Sequence, residues 1–124
     1  MNEKKFKLLV VDDNEYVRDL ICLTFAEETK IELVEANNGD KGWLQFQAHH
    51  PDIVLSDVMM PGSVDGLELC RRIKLSDNPC FVILFSAKGR QSDIELGMQA
   101  GADLYKVKPL SPLELIDIVN EVTR

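Results

Sequence analysis

Basic residues are scarce in this chain: 14 Lys and Arg stand against 21 Asp and Glu, for a net charge of −7. The few cations are dispersed, so the clustered positive face that nucleic-acid binding needs is not there, and no direct nucleic-acid contact is expected. Cysteine is equally thin. Cys22, Cys70 and Cys80 form no CxxC and no ligand-spaced pair, and read as reduced thiols filling space, not as a disulfide framework or zinc site. No apolar run approaches the ~20 residues that cross a bilayer, so no membrane insertion is expected. The opening stretch from Met1 to Lys5 shows no signal peptide and leads straight into a strand, which makes the cytoplasm the expected location. The remainder, 45% apolar and 28% charged over 124 residues, has the composition of a soluble protein. It fits one domain over 1–124 that buries roughly two-thirds of the surface its unfolded chain exposes.

The hydrophobic pattern alternates between two periods. Phe6–Val11, Ile31–Glu35, Ile53–Ser56, Phe81–Phe85 and Leu104–Val107 are short runs that read as strands. Between and after them come five helical stretches. The first carries Val17, Leu20, Ile21, Thr24 and Phe25 at helical spacing, with Asp13 or Asn14 as N-cap. The second spans Asp40 to His49, with Trp43 and Phe46 on its apolar face, and stops at Pro51. Asp65 opens the third with capping-box spacing to Glu68, and Leu69, Cys70 and Ile73 line its buried side. A box at Ser92–Glu95 opens the fourth, a helix of only about two turns ended near Gly101. Ser111 and Pro112 open the fifth, which carries Leu115, Ile116, Val119 and Val122. Alternating strands and helices with right-handed crossovers give an α/β three-layer sandwich: flavodoxin-like, a parallel five-stranded sheet in the order 2-1-3-4-5.

In such a sheet the crevice lies at the carboxyl ends of the strands. There the chain places Asp12-Asp13 after strand one, Asp57 at strand three, Ser86 at strand four and Lys108-Pro109 at strand five. Taken singly, each reads more readily as a cap, a loop hydroxyl or a turn. Taken together, four converging strand ends are hard to assign to chance. Three carboxylates in one crevice repel one another unless a cation joins them. An all-oxygen, partly hydrated site suits Mg²⁺. A lysine and a hydroxyl add what a bare metal ion does not need but an arriving phosphoryl group does. The nucleophile is then a carboxylate and the product an aspartyl phosphate.

These residues, with Asp57-Val-Met-Met-Pro61, Asp65-Gly66, Ser86-Ala87, Ala100-Gly-Ala-Asp103 and Lys108-Pro109, resemble the receiver domain of the bacterial two-component response regulators, from the first strand to the last helix. The resemblance implies that Asp57 is phosphorylated by a histidine kinase or histidine phosphotransfer protein, or slowly by a small phosphodonor. It implies that Asp13, Asp57 and the Met59 backbone carbonyl ligate Mg²⁺, with Asp12 acting through water. Ser86, the Ala87 amide and Lys108 would hold the phosphoryl oxygens, and the Lys108-Pro109 bond would be cis. Ser86 and Tyr105 would form the switch, Tyr105 rotating inward from an exposed position. Helix four, strand five and helix five would then bind the downstream protein, with a phosphorylation-dependent dimer left open. Met59 and Lys88, flanking the path of the hydrolytic water, would make the phosphorylated state long-lived. Apart from its own phosphoryl transfer and slow self-dephosphorylation, no enzyme activity is expected.

Two departures from the family pattern stand out. The loop Pro61-Gly-Ser-Val-Asp-Gly66 is one residue longer than usual, with Val64 expected in place of a buried Met and Gly62-Ser63 absorbing the extra length. Ser86 replaces the commoner Thr and keeps its hydroxyl. Competing readings fit less well. A flavodoxin needs a Ser/Thr/Gly-rich loop where Asp12-Asp13-Asn14 stands, and a haloacid-dehalogenase-type phosphatase needs an Asp-x-Asp on strand one. A pseudo-receiver that only binds partners would be expected to lack one of the acids or the lysine. His49 and His50, before Pro51, read as favourable charges at a helix C-terminus and nothing more.

Overall fold

The computed structural model describes residues 4–124, so the first three residues of the expected lead-in lie outside the described residues. Its elements follow in the order β1 (Phe6–Val11), α1 (Glu15–Thr24), β2 (Ile31–Ala36), α2 (Gly39–His49), β3 (Ile53–Asp57), α3 (Gly66–Leu75), β4 (Phe81–Ser86), α4 (Gln91–Gln99), β5 (Leu104–Val107) and α5 (Pro112–Val122). The five strands form one sheet in the order β2-β1-β3-β4-β5, every pair parallel. This is the expected flavodoxin-like arrangement.

Period-two alternation sorts the strand residues onto two cores. Leu9, Val11, Val54, Val82 and Leu84 face α2, α3 and α4, where they meet Phe46, Leu69, Cys70, Ile73 and Ala100. Leu8, Val10, Ile53, Leu55, Ile83 and Phe85 face the other way, against Ile21 and Phe25 on the α1 side and Leu115 and Val119 of α5. Each fully buried aliphatic side chain contributes ~1.5–3 kcal/mol. A surface ion pair such as Arg72–Glu68, at 3.0 Å, contributes ~0–1 kcal/mol. The two cores therefore carry the fold, and the central strands that end at the crevice are its most firmly held part.

Several expectations shift on contact with the structure. Leu20, read as a core position of α1, is 45% exposed, because the sheet takes only Ile21 and Phe25 fully and the stripe is narrower than the spacing suggested. Of the two candidate caps for α1, Asn14 serves: its side chain accepts from the amides of Tyr16 and Val17 at 2.9 and 3.3 Å. The capping box of α4 sits two residues earlier than Ser92, with Asp93 accepting from the Arg90 amide at 3.2 Å. Val64 is buried in the α2–α3 core as expected. All three cysteines are free, and burial pushes their thiols up, to about 11 for Cys22 and Cys70 and about 12 for Cys80. Thiols so shifted are poor nucleophiles at neutral pH, in keeping with a space-filling role.

Candidate phosphoryl-transfer site

β1 and β3 lie side by side and deliver their terminal acids to one place. Asp12 is fully buried, Asp57 is 6% exposed, and Asp13 stands open to solvent. One carboxylate oxygen from each of the three lies within 4.8 Å of the others. Local structure keeps them there. The Asp12 carboxylate accepts the Asn14 amide at 2.8 Å, and the Asp57 carboxylate accepts the Met59 amide at 3.3 Å. Because Asn14 caps α1, Asp13 is not consumed as a cap. Behind Asp57, Gly66 lets the chain pass, since a Cβ there would lie 2.0 Å from the Asp57 carbonyl oxygen. Asp65, beside it, caps α3 by accepting from the Glu68 amide at 2.9 Å. Glu68 does not complete the box and pairs with Arg71 and Arg72 instead.

Lys108 enters from the end of β5. Its Nζ stands 3.5 Å from Asp12 Oδ2 and 3.5 Å from Asp57 Oδ2, and 5.2 Å from the centre of the Phe85 ring. The Lys108-Pro109 peptide is cis. One ammonium against three carboxylates leaves the crevice negative. Burial pushes the Asp57 carboxyl above the usual carboxylate range, with Lys108 and the Met59 amide pulling it back. Asp12 is also raised, first by burial and further by the Asp57 charge, against the opposing pull of the Asn14 amide and Lys108. Three clustered oxygen donors with an uncompensated charge fit a hard divalent cation.

The remaining expected residues sit around this centre. Ser86 is buried at the end of β4, and Ala87 follows it, exposed, at the head of the β4–α4 loop. The Lys88 amide donates to Ser86 Oγ at 3.1 Å, and its side chain is exposed. Met59, 54% exposed, lies on the rim of a hollow of about 170 Å³ that Ser86, Lys88 and Tyr105 also line. Tyr105 departs from expectation: it is half-buried, not exposed, and its hydroxyl donates to the Lys88 carbonyl at 2.7 Å. The reason lies on α4. Gly97 has no side chain, and a Cβ there would come within 2.6 Å of the tyrosine ring, so the ring settles against the helix.

Arg18 escaped the sequence reading. Its Nη1 donates to the Asp12 carbonyl at 2.7 Å and its Nε pairs with Glu35 at 3.5 Å, tying α1 to the strand end that holds two of the acids. Nothing in the spacing marks it, since only the packing of α1 on the sheet brings it back to Asp12.

The profile of the response regulator receiver domain matches residues 8–120. The chain belongs to the response regulator receiver family. This receiver domain is 37% identical over 118 residues to the transcriptional regulatory protein ResD of Bacillus subtilis, covering 95% of this chain and 48% of that one. It is 38% identical over 130 residues to the probable transcriptional regulator ycf27 of Pyropia yezoensis, covering all of this chain and 50% of that one. The receiver thus spans about half the length of the curated relatives it matches. Among solved structures, the receiver domain of the Francisella response regulator 1452 superposes with a TM-score of 0.86 at 30% identity, covering 95% and 96% of the two chains. The BeF3-activated DrrB receiver domain superposes with a TM-score of 0.83 at 26% identity, covering 96% and 97%. No helix among the described residues is long and apolar enough to cross a membrane.

Proposed function

We propose that this receiver is a phosphorylation-activated switch whose phosphoacceptor is Asp57. The observation that carries the reading is the placement of Asp57 against two further carboxylates and the Lys108 ammonium on a rigid strand end. The donor is a phosphohistidine on a histidine kinase or phosphotransfer protein. A carboxylate oxygen of Asp57 attacks phosphorus, the P–N bond breaks, and the imidazole leaves with its electron pair. Burial raises the Asp57 pKa and so disfavours its charged form, and Lys108 and the Met59 amide oppose that effect in part. Asp13, Asp57 and the Met59 carbonyl would hold Mg²⁺, with Asp12 acting through water. The ion would neutralise charge gathering on the phosphoryl oxygens. Lys108, the Ser86 hydroxyl and the Ala87 amide take the remaining oxygens.

Output is by protein contact in the cytoplasm. The phosphoryl group draws Ser86 and, through Lys88, alters the hold on Tyr105, so that the surface of α4, β5 and α5 changes and engages a downstream protein or a second copy of the receiver. The chain's net charge of −7 supports output by protein contact, and direct nucleic-acid contact is not part of the reading. Met59, long and apolar, cannot orient a water, so the receiver loses its phosphate slowly. Phosphate transfer from acetyl phosphate to Asp57, followed by intact mass, tests the reading.

A further inference from the structure

The extra residue in the loop between β3 and α3 is taken up in a specific way. Met60 and Val64 are buried at the two ends of the segment, leaving Pro61, Gly62 and Ser63 exposed between them. Gly62 turns the chain with φ of +104°, a conformation that favours glycine. Ser63 Oγ then donates to the Asp40 carboxylate, 3.0 Å from Oδ1 and 3.4 Å from Oδ2. Asp40 lies in the first turn of α2, whose start is itself fixed by Asn38, which accepts the Lys41 amide at 2.7 Å. One residue earlier on the same helix, Gly39 has no Cβ; one placed there would lie 1.9 Å from the Val64 carbonyl oxygen, so the loop backbone runs directly against the helix. The lengthened loop is therefore seated on the N-terminal turn of α2.

We infer that Asp40 and Ser63 are positioning residues for the Mg²⁺ site, acting on Met59 through this loop. The inference rests on the proposed reading, in which the Met59 carbonyl is a metal ligand. A loop with one residue more than its span requires has slack, and slack multiplies the conformations of the segment that begins at Met59. The Ser63–Asp40 bond anchors that slack to a rigid helix. Apparent affinity falls in proportion to the fraction of molecules whose ligands are in place, so breaking the bond weakens Mg²⁺ binding without touching a ligand. Both side chains are exposed, so the bond adds no more than the contribution of a single hydrogen bond to global stability, and its loss leaves the chain folded. An effect on metal affinity is thereby separable from one on folding.

The test is Mg²⁺ titration of the whole chain by calorimetry, with the metal-free melting temperature measured alongside, for wild type, Asp40→Ala, Asp40→Asn, Ser63→Ala and the Asp40→Ala/Ser63→Ala double variant. Ser63→Ala and Asp40→Ala are expected to weaken Mg²⁺ binding by about three- to tenfold, the range one hydrogen bond sets, with metal-free melting lowered by at most several degrees. The double variant should be no worse than either single one, because both remove the same bond. Asp40→Asn keeps an acceptor for Ser63 and should bind nearly as tightly as wild type. Loss in Asp40→Asn equal to that in Asp40→Ala, with Ser63→Ala normal, would assign the effect to through-space charge and overturn the inference. Lower melting temperatures with unchanged Mg²⁺ affinity would overturn it as well. Failure of the wild type to bind Mg²⁺ would instead remove the metal reading on which it rests.

Discussion

Tyr105 and Lys88 are joined by a 2.7 Å hydrogen bond from the tyrosine hydroxyl to the lysine carbonyl, and the amide of that same Lys88 donates to Ser86 Oγ. Strand β5 and the Ser86 hydroxyl are thus two hydrogen bonds apart, through one residue of the β4–α4 loop. A pull on Ser86 reaches Tyr105 without any larger rearrangement. Ser86→Ala should leave Asp57 open to phosphorylation yet uncouple it from partner binding. Tyr105→Phe should also weaken the coupling, since it removes the second of the two bonds. Amide chemical shifts on phosphorylation are the check. Changes over α4, β5 and α5 in wild type, much reduced in Ser86→Ala, are expected, whereas changes confined to α1 and α2 would count against the route.

Charge crowding should appear as a stability penalty without metal. Asp57→Ala removes one of three clustered carboxylates, so the metal-free variant should melt higher than the metal-free wild type. In wild type, Mg²⁺ should raise the melting temperature by linkage, and Asp13→Ala should abolish that rise. Equal melting of wild type and Asp57→Ala without metal would mean that the carboxylates do not repel.

The pH dependence has a definite sign. Asp12 and Asp57 are both raised in the folded state, chiefly by burial. Between the unfolded value near 4 and the higher folded values, the native state holds more protons than the unfolded one. Metal-free stability contributed by these groups is therefore fully present below about pH 4 and is lost as pH rises through the folded values. Urea titrations of wild type and Asp57→Asn across that window check this. The wild type should lose stability relative to the variant as pH rises, and a relative gain would reverse the assignment.

Much of this architecture is legible in the sequence because it depends on local pattern. The strands of this parallel sheet are short apolar runs, and their observed bounds differ from the expected ones by at most one residue: Ala36, Asp57 and Ser86 each extend a strand. The strand-end acids and Lys108 could be read because the topology fixes where strand ends meet. What could not be read depends on three-dimensional contact. Arg18 reaches Asp12 only once α1 is packed, and Tyr105 is half-buried because Gly97 lies across from it. Ser63 meets Asp40 across 23 residues of chain. α4 starts at Gln91 and not at the Ser92 box because Asp93 accepts the Arg90 amide, and arginine, which caps through no side-chain bond here, carries no N-cap signal in sequence.

Gly66 offers a direct probe of how closely the loop approaches Asp57. Gly66→Ala places a Cβ 2.0 Å from the Asp57 carbonyl oxygen, with backbone rather than a flexible side chain in the way. It should destabilise the fold by about 1–3 kcal/mol, the usual cost of overpacking, and weaken Mg²⁺ binding. Urea unfolding measures the first and titration the second; a fully stable variant with normal metal binding would show that the backbone yields freely there.

Phosphoryl lifetime is expected to depend on Met59 and Lys88. After removal of the donor, the wild type should stay phosphorylated for a time on the order of many minutes or longer, since the apolar Met59 side chain gives an in-line water nothing to hold it. Met59→Asn combined with Lys88→Glu should shorten that time. Loss of phosphate within seconds in wild type, or no acceleration in the double variant, would show that these residues do not control the water.

The central claim, that Asp57 accepts the phosphoryl group, is tested most directly by incubating wild type and Asp57→Asn with acetyl phosphate and Mg²⁺ and recording intact mass. The account predicts a gain of one phosphoryl group in wild type, dependent on Mg²⁺, and none in the variant. No gain in wild type, or an equal gain in Asp57→Asn, would contradict it.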